Sequence, residues 1–191
     1  MRAAARVVAA LFVVANVMPA SAADAVEGKA AACFACHGPN GNSTNPAVPS
    51  IAGQPAQFIG TQLIMFREGR RKDPQMSPVA ASLGNADMNA LGKFFSAQKP
   101  VPPARKIDAA KAEEGRRLTE KFNCVACHGA QLRGQQHIPA LVGQQPDYLR
   151  AQLRGFKAGT RFDMDGNMTA AAQPLSEKDI DVIVEYLAAA K

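Results

Sequence analysis

Cys33-Phe34-Ala35-Cys36-His37 returns 91 residues later as Cys124-Val125-Ala126-Cys127-His128. The two pentapeptides take all four cysteines and two of the three histidines in a chain of 191 residues. A cysteine pair separated by two residues could form a redox disulfide, and four cysteines could hold zinc. Both readings leave the histidine after each pair without a role. Covalent haem attachment uses all three side chains. Two thiols three residues apart on a helical turn share a face and reach the two vinyl groups of one porphyrin. The adjacent histidine then comes up under the iron as the proximal ligand. Cys33, Cys36, Cys124 and Cys127 are therefore the expected attachment points of two haem c groups, with His37 and His128 as axial ligands.

Outward from the pentapeptides the chain is written twice. Placing Gly53 on Gly143 also superposes Gln54 on Gln144, Phe58 on Tyr148, Gln62 on Gln152, Leu63 on Leu153, Phe66 on Phe156, Gly69 on Gly159 and Arg71 on Arg161. A two-residue insertion in the second copy then brings Met76 onto Met168, Leu83 onto Leu175 and Asp87 onto Asp179. Two copies are too few for a solenoid and predict two homologous domains. The segment AQKPVPPARK at 97–106 carries three prolines, which stop the preceding helix and stiffen a connection. The expected division is a leader at 1–22, a first domain at 23–98, a linker at 99–106 and a second domain at 107–191.

Each domain reads as all-α. Met88, Leu91 and Phe95 recur at helical spacing behind Asn85, the expected N-cap. Ile180, Ile183, Val184 and Leu187 do the same behind Ser176-x-x-Asp179, a capping pattern. Phe58 to Phe66 and Tyr148 to Phe156 mark a middle helix in each copy. A further helix precedes each pentapeptide, clearest at Asp108 to Phe122 and short before Cys33. Gly28 also stands closer to its pentapeptide than Gly115 does. No alternating strand pattern of any length occurs.

Arg2 and Arg6 precede an apolar run from Val7 to Val17, and Ala20-Ser21-Ala22 supplies the small residues of a cleavage site. This predicts a cleaved export signal, because the run is too short to span a bilayer comfortably. Export to the periplasm agrees with haem c, which is attached outside the cytoplasm. Loss of Arg2 and Arg6 lowers the formal charge from +6 to +4. The densest basic run, Arg67 to Lys72, has no interleaved aromatics, so nucleic-acid binding is not expected. The run reads as a solvated helix end, with docking to an acidic partner as the lesser alternative.

The second axial position points to methionine. Met76 and Met168 follow His37 and His128 by 39 and 40 residues and lie in polar surroundings expected to be loops. A thioether is a soft neutral ligand that raises the potential of a His-ligated haem. Met65 and Met88 fit apolar helix faces instead, and Met164 is a rival to Met168 without a repeat partner. His137 has no counterpart in the first copy and reads as an exposed loop residue. Pro49 and Pro139 follow the two histidines by 12 and 11 residues. Their carbonyls could accept the histidine Nδ1–H, although the spacing suits a plain turn proline equally well. Each half is thin material for a core, so the haem-free chain is expected to be largely unfolded.

The two CxxCH motifs, the GQ…QL..F..G.R segments, the paired methionines and the LS..D…Y ending together resemble the dihaem cytochromes c4, of the class I cytochrome c superfamily. The resemblance covers essentially the whole exported chain. It implies two tandem all-helical haem domains packed with their haem edges near each other. It implies that Pro49 and Pro139 do bond the proximal histidines. It also implies periplasmic electron carriage, from a quinol-oxidising complex or a dehydrogenase towards a terminal oxidase, with no substrate chemistry of its own. Peripheral association with the membrane is left open. Related dihaem chains serve as subunits of flavoprotein dehydrogenases of the sulfide type, which is the alternative function. A dihaem peroxidase or sensor needs an open iron site, and the matched methionines argue against one.

Overall fold

A computed structural model of the chain describes residues 22–190, so the expected leader at 1–22 lies outside it but for Ala22. Helix α1 spans Ala22–His37 and is followed by a single 3-10 turn at Pro39–Gly41. The first domain continues with α2 (Ala56–Arg67), α3 (Met76–Ala81) and α4 (Asn85–Ser96). The second holds α5 (Ala109–Lys121), α6 (Cys124–His128), α7 (Pro146–Lys157), α8 (Asn167–Ala172) and α9 (Glu177–Ala189). The fold is all-α; among the described residues the one bridge of strand type is the isolated pair Gln135 and Ile138.

The helical periodicity translates directly into two cores. Helices α1 and α2 pack on α4, burying Ala30, Ile59, Leu63, Met88, Leu91 and Phe95. Phe95 also meets Phe94 and Phe34 edge to face, with centroids 5.2 and 6.1 Å apart. Helices α5 and α7 pack on α9 around Leu118, Leu149, Phe156, Ile180, Ile183, Val184 and Leu187. Ser176 caps α9 as expected: its Oγ accepts the Asp179 N–H at 3.1 Å while Asp179 returns the bond to the Ser176 N–H at 2.9 Å.

One local expectation is corrected, and two local features are new. Asn85 is the first helical residue of α4 and Gly84 is the cap, because Asp87 reaches back to the Gly84 N–H at 3.4 Å. The helix leading into the first pentapeptide does not stop before it: α1 continues through Cys33 and Cys36 and ends on His37 itself. The second pentapeptide does not continue α5. Asn123 adopts a left-handed conformation at φ 58°, which Asn tolerates better than most residues, and α6 begins afresh.

The linker is packed rather than free. Pro100 sits on Gly53 and Pro102 on Gly143, where added Cβ atoms would approach to 2.3 and 2.9 Å. Both glycines have φ +68°, so these repeat-matched positions need glycine twice over. The domains meet with approximate two-fold reciprocity. The Phe58 N–H of α2 donates to the Gln136 carbonyl at 3.0 Å, and the Tyr148 N–H of α7 donates to the Pro46 carbonyl at 2.9 Å. Each domain thereby satisfies a first-turn N–H that the other helix cannot satisfy by itself.

Candidate functional site

Each pentapeptide presents its cysteines on one helical turn, the first half-buried and the second exposed. No disulfide joins any two of the four cysteines. Burial pushes the Cys33 and Cys124 thiols up from their ordinary value. That is opposite to the depressed thiol pKa of redox-active cysteine pairs. Among the described residues no three His, Cys, Asp or Glu side chains converge as a metal-ion cage.

Chain direction turns sharply after each histidine. Gly38 and Gly129 follow at φ +76° and +81°, and a Cβ on Gly38 would lie 2.0 Å from the Asn42 carbonyl oxygen. The turn buries His37 and His128 and sets each Nδ1 2.8 Å from a carbonyl oxygen, that of Pro49 and that of Pro139. A carbonyl can only accept, so Nδ1 carries the proton and Nε2 keeps the lone pair that an iron requires. Burial lowers the pKa of both imidazoles, against the opposing pull of the proline carbonyls and, for His37, of Asp73. The neutral, ligating form is the one held.

Met76 and Met168 do not lie in loops. They occupy the first and second residues of α3 and α8 and pack half-buried against their respective cores. Aspartates fix both backbones: Met76 N–H donates to Asp73 at 2.8 Å and Met168 N–H to Asp163 at 2.9 Å. Asp73 and Asp163 coincide at an offset of 90, so the repeat carries this signal beside that of the methionines. Met164 is 63% exposed. His137 is exposed as expected.

These groups border one continuous, mainly apolar cavity of about 1490 Å³ that runs across both domains. Cys33, Cys36, His37 and Met76 line one half, and Cys124, Cys127, His128 and Met168 line the other. Single ligand sites occupy ~300–1,000 Å³, so the volume suits two large flat groups better than one.

Among the cations that line this cavity are two half-buried arginines stacked on aromatic rings. Arg71 stacks on Phe66 at 4.5 Å and Arg161 on Phe156 at 4.4 Å. Arg71 donates to Gln62 at 2.6 Å in its own domain, and to Tyr148 at 3.2 Å and Gln152 at 3.3 Å in the other. Neither guanidinium forms an ion pair among the described residues, and Arg161 Nε is buried with no hydrogen-bond partner. Burial pulls the Arg161 pKa down to about 10, with Arg71 adding to the fall. Tyr148 moves down because the two arginines outweigh its burial. An apolar slot bordered by thiols, imidazoles and arginines without a carboxylate partner fits a porphyrin bearing carboxylates.

Comparison with known proteins agrees. The family model for cytochrome c matches twice, at residues 25–98 and 112–191. The thiosulfate dehydrogenase electron acceptor of Thiomonas intermedia (strain K12) is 37% identical, the match covering 84% of this chain and 79% of that one. The cytochrome c4 of Thiocapsa roseopersicina is 35% identical over 81% of this chain and 85% of its own length. The crystal structure of reduced recombinant cytochrome c4 from Pseudomonas stutzeri superposes with a TM-score of 0.80 at 31% identity, covering 90% of this chain and 100% of that one.

Proposed function

The chain belongs to the cytochrome c family, in its two-domain cytochrome c4 form, carries two covalent haem c groups and serves electron transfer; on that premise we propose that it is an exported mobile carrier delivering electrons towards a terminal oxidase. The observation that carries this reading is the single cavity bordered by two complete Cys–Cys–His–Met sets. Each haem supplies reversible one-electron chemistry at its iron. The chain's own residues do the rest. Cys33, Cys36, Cys124 and Cys127 anchor the macrocycles, and His37 and His128 offer neutral Nε2 donors oriented by Pro49 and Pro139. Met76 and Met168 would hold the irons together with the two histidines, and a soft thioether there would raise the potentials and leave oxygen or peroxide no site. Arg71 and Arg161, at the domain boundary, would neutralise the propionates of the two groups.

Relatives named as electron acceptors of thiosulfate dehydrogenase favour a periplasmic dehydrogenase as the donor. A chain bound permanently to such an enzyme is the second reading. Native mass spectrometry of gently prepared periplasmic and membrane fractions separates the two. The carrier reading expects the exported chain plus two haems without a companion. A stable one-to-one complex with a catalytic chain would replace it with the subunit reading.

A further inference from the structure

The Pro49–Ser50 peptide bonds at both ends. Its carbonyl takes the His37 Nδ1–H at 2.8 Å, and its N–H donates to Gln144 Oε1, in the second domain, at 2.7 Å. The Pro139–Ala140 peptide repeats the pattern. Its carbonyl takes the His128 Nδ1–H at 2.8 Å, and its N–H donates to Gln54 Oε1, in the first domain, at 2.9 Å. Each glutamine closes a second bond to the same residue, Gln144 Nε2 to the Ser50 carbonyl at 2.8 Å and Gln54 Nε2 to the Ala140 carbonyl at 3.0 Å. Both amides are 5% exposed, so water does not compete for them.

We infer that Gln54 and Gln144 are crossed positioning residues: each tunes the haem of the other domain through the peptide that holds that domain's proximal histidine. This rests on His37 and His128 being the iron ligands. Hydrogen bonds in series polarise one another. An acceptor on the Ser50 N–H makes the Pro49 carbonyl more negative. That strengthens its bond to the imidazole and makes Nε2 a better donor to iron. A stronger donor favours the ferric state and lowers the potential. The duplication makes the arrangement reciprocal, so neither domain sets its own potential alone. Gln54 and Gln144 superpose in the repeat, and the buried pairing crosses because the domains face each other about an approximate two-fold axis.

The test uses the two-haem protein, its loading checked by mass. Haem potentials are followed singly by NMR redox titration, with each haem assigned through contacts to its own cysteines. Gln144→Leu should raise the potential of the haem on Cys33 and Cys36, move the hyperfine-shifted His37 Nδ1–H resonance and leave the other haem in place. Gln54→Leu should do the converse to the haem on Cys124 and Cys127. Gln144→Glu keeps the size and supplies a stronger acceptor, so the first-domain potential should fall, a sign reversal that loosened packing would not give. Shifts on the haem of the substituted domain, equal shifts on both, or none would overturn the inference. If the wild-type protein shows no such Nδ1–H resonance from His37 or His128, the ligand reading falls with it. Wild-type resonances with uncrossed shifts sink the inference alone.

Discussion

Met168 and Met164 stand four residues apart on the same cavity wall, yet only Met168 has its backbone tied to Asp163 and its side chain against the core. Met76 shows the same pair of restraints through Asp73. A ligand held at both ends loses little entropy on binding iron, whereas an exposed one must be ordered first. Reduced Met76→Ala and Met168→Ala should therefore each bind carbon monoxide at one haem and lower that haem's potential, while Met164→Ala should bind none. A carbon monoxide difference spectrum reads this directly, and binding by the Met164 variant would reverse the assignment. The sequence could separate these methionines because the repeat acts as an internal control. It could not decide the roles of Pro49 and Pro139, since a turn proline and a carbonyl acceptor share one spacing. The 2.8 Å contacts depend on a fold in which the chain reverses after each histidine.

Helix interiors show where sequence likeness stops short of structural likeness. Gly28 and Gly115 both precede a pentapeptide, but only one is a packing device. A Cβ on Gly115 would lie 2.2 Å from Tyr186 Cβ and 3.3 Å from the Val182 carbonyl oxygen, so α5 crosses α9 through this hydrogen-only surface. Gly28 sits exposed in α1 with nothing within 4 Å. Gly115→Ala should then destabilise the second domain by ~1–3 kcal/mol through overpacking. Gly28→Ala should stabilise by up to ~1 kcal/mol, since glycine is a poor helix former. Each kcal/mol moves the melting midpoint of a domain this size by ~4–8 °C, so calorimetry of the two variants decides it. Equal effects would mean that the domains pack their first helices alike. Helix existence and type were legible because the apolar period is strong at Met88–Phe95 and Ile180–Leu187. The break at Asn123 was not, because a single left-handed residue leaves no periodic trace. The cap at Gly84 was hidden for a related reason: its bond comes from Asp87, not from a side chain of its own.

For the whole molecule, the repeat read as two copies said nothing of how they meet. Gln54, Gln144, Phe58 and Tyr148 superpose as equivalents in sequence, and that equivalence disguises them as family resemblance between domains rather than as contacts across them. The interface they build borders the cavity of about 1490 Å³ rather than a protein core. Without the porphyrins, the apolar walls of so large a cleft stay in contact with water and their burial contributes nothing to folding. Whole domains are stable by only ~5–15 kcal/mol. The two buried cores, of which the first has six residues, are too small to absorb that deficit. Arg71 and Arg161 would add uncompensated charge at the same boundary. A chain with Cys33, Cys36, Cys124 and Cys127 all replaced by serine cannot anchor the cofactors. It should show residual helix by circular dichroism, no sigmoidal thermal transition and strong binding of a hydrophobic dye. Serine at the first domain's two cysteines alone should leave one cooperative transition, from the second domain with its haem. A sharp melt of the fully substituted chain would show that packing between helices suffices for the fold, and the cavity would then be a consequence of the architecture rather than the reason it holds together.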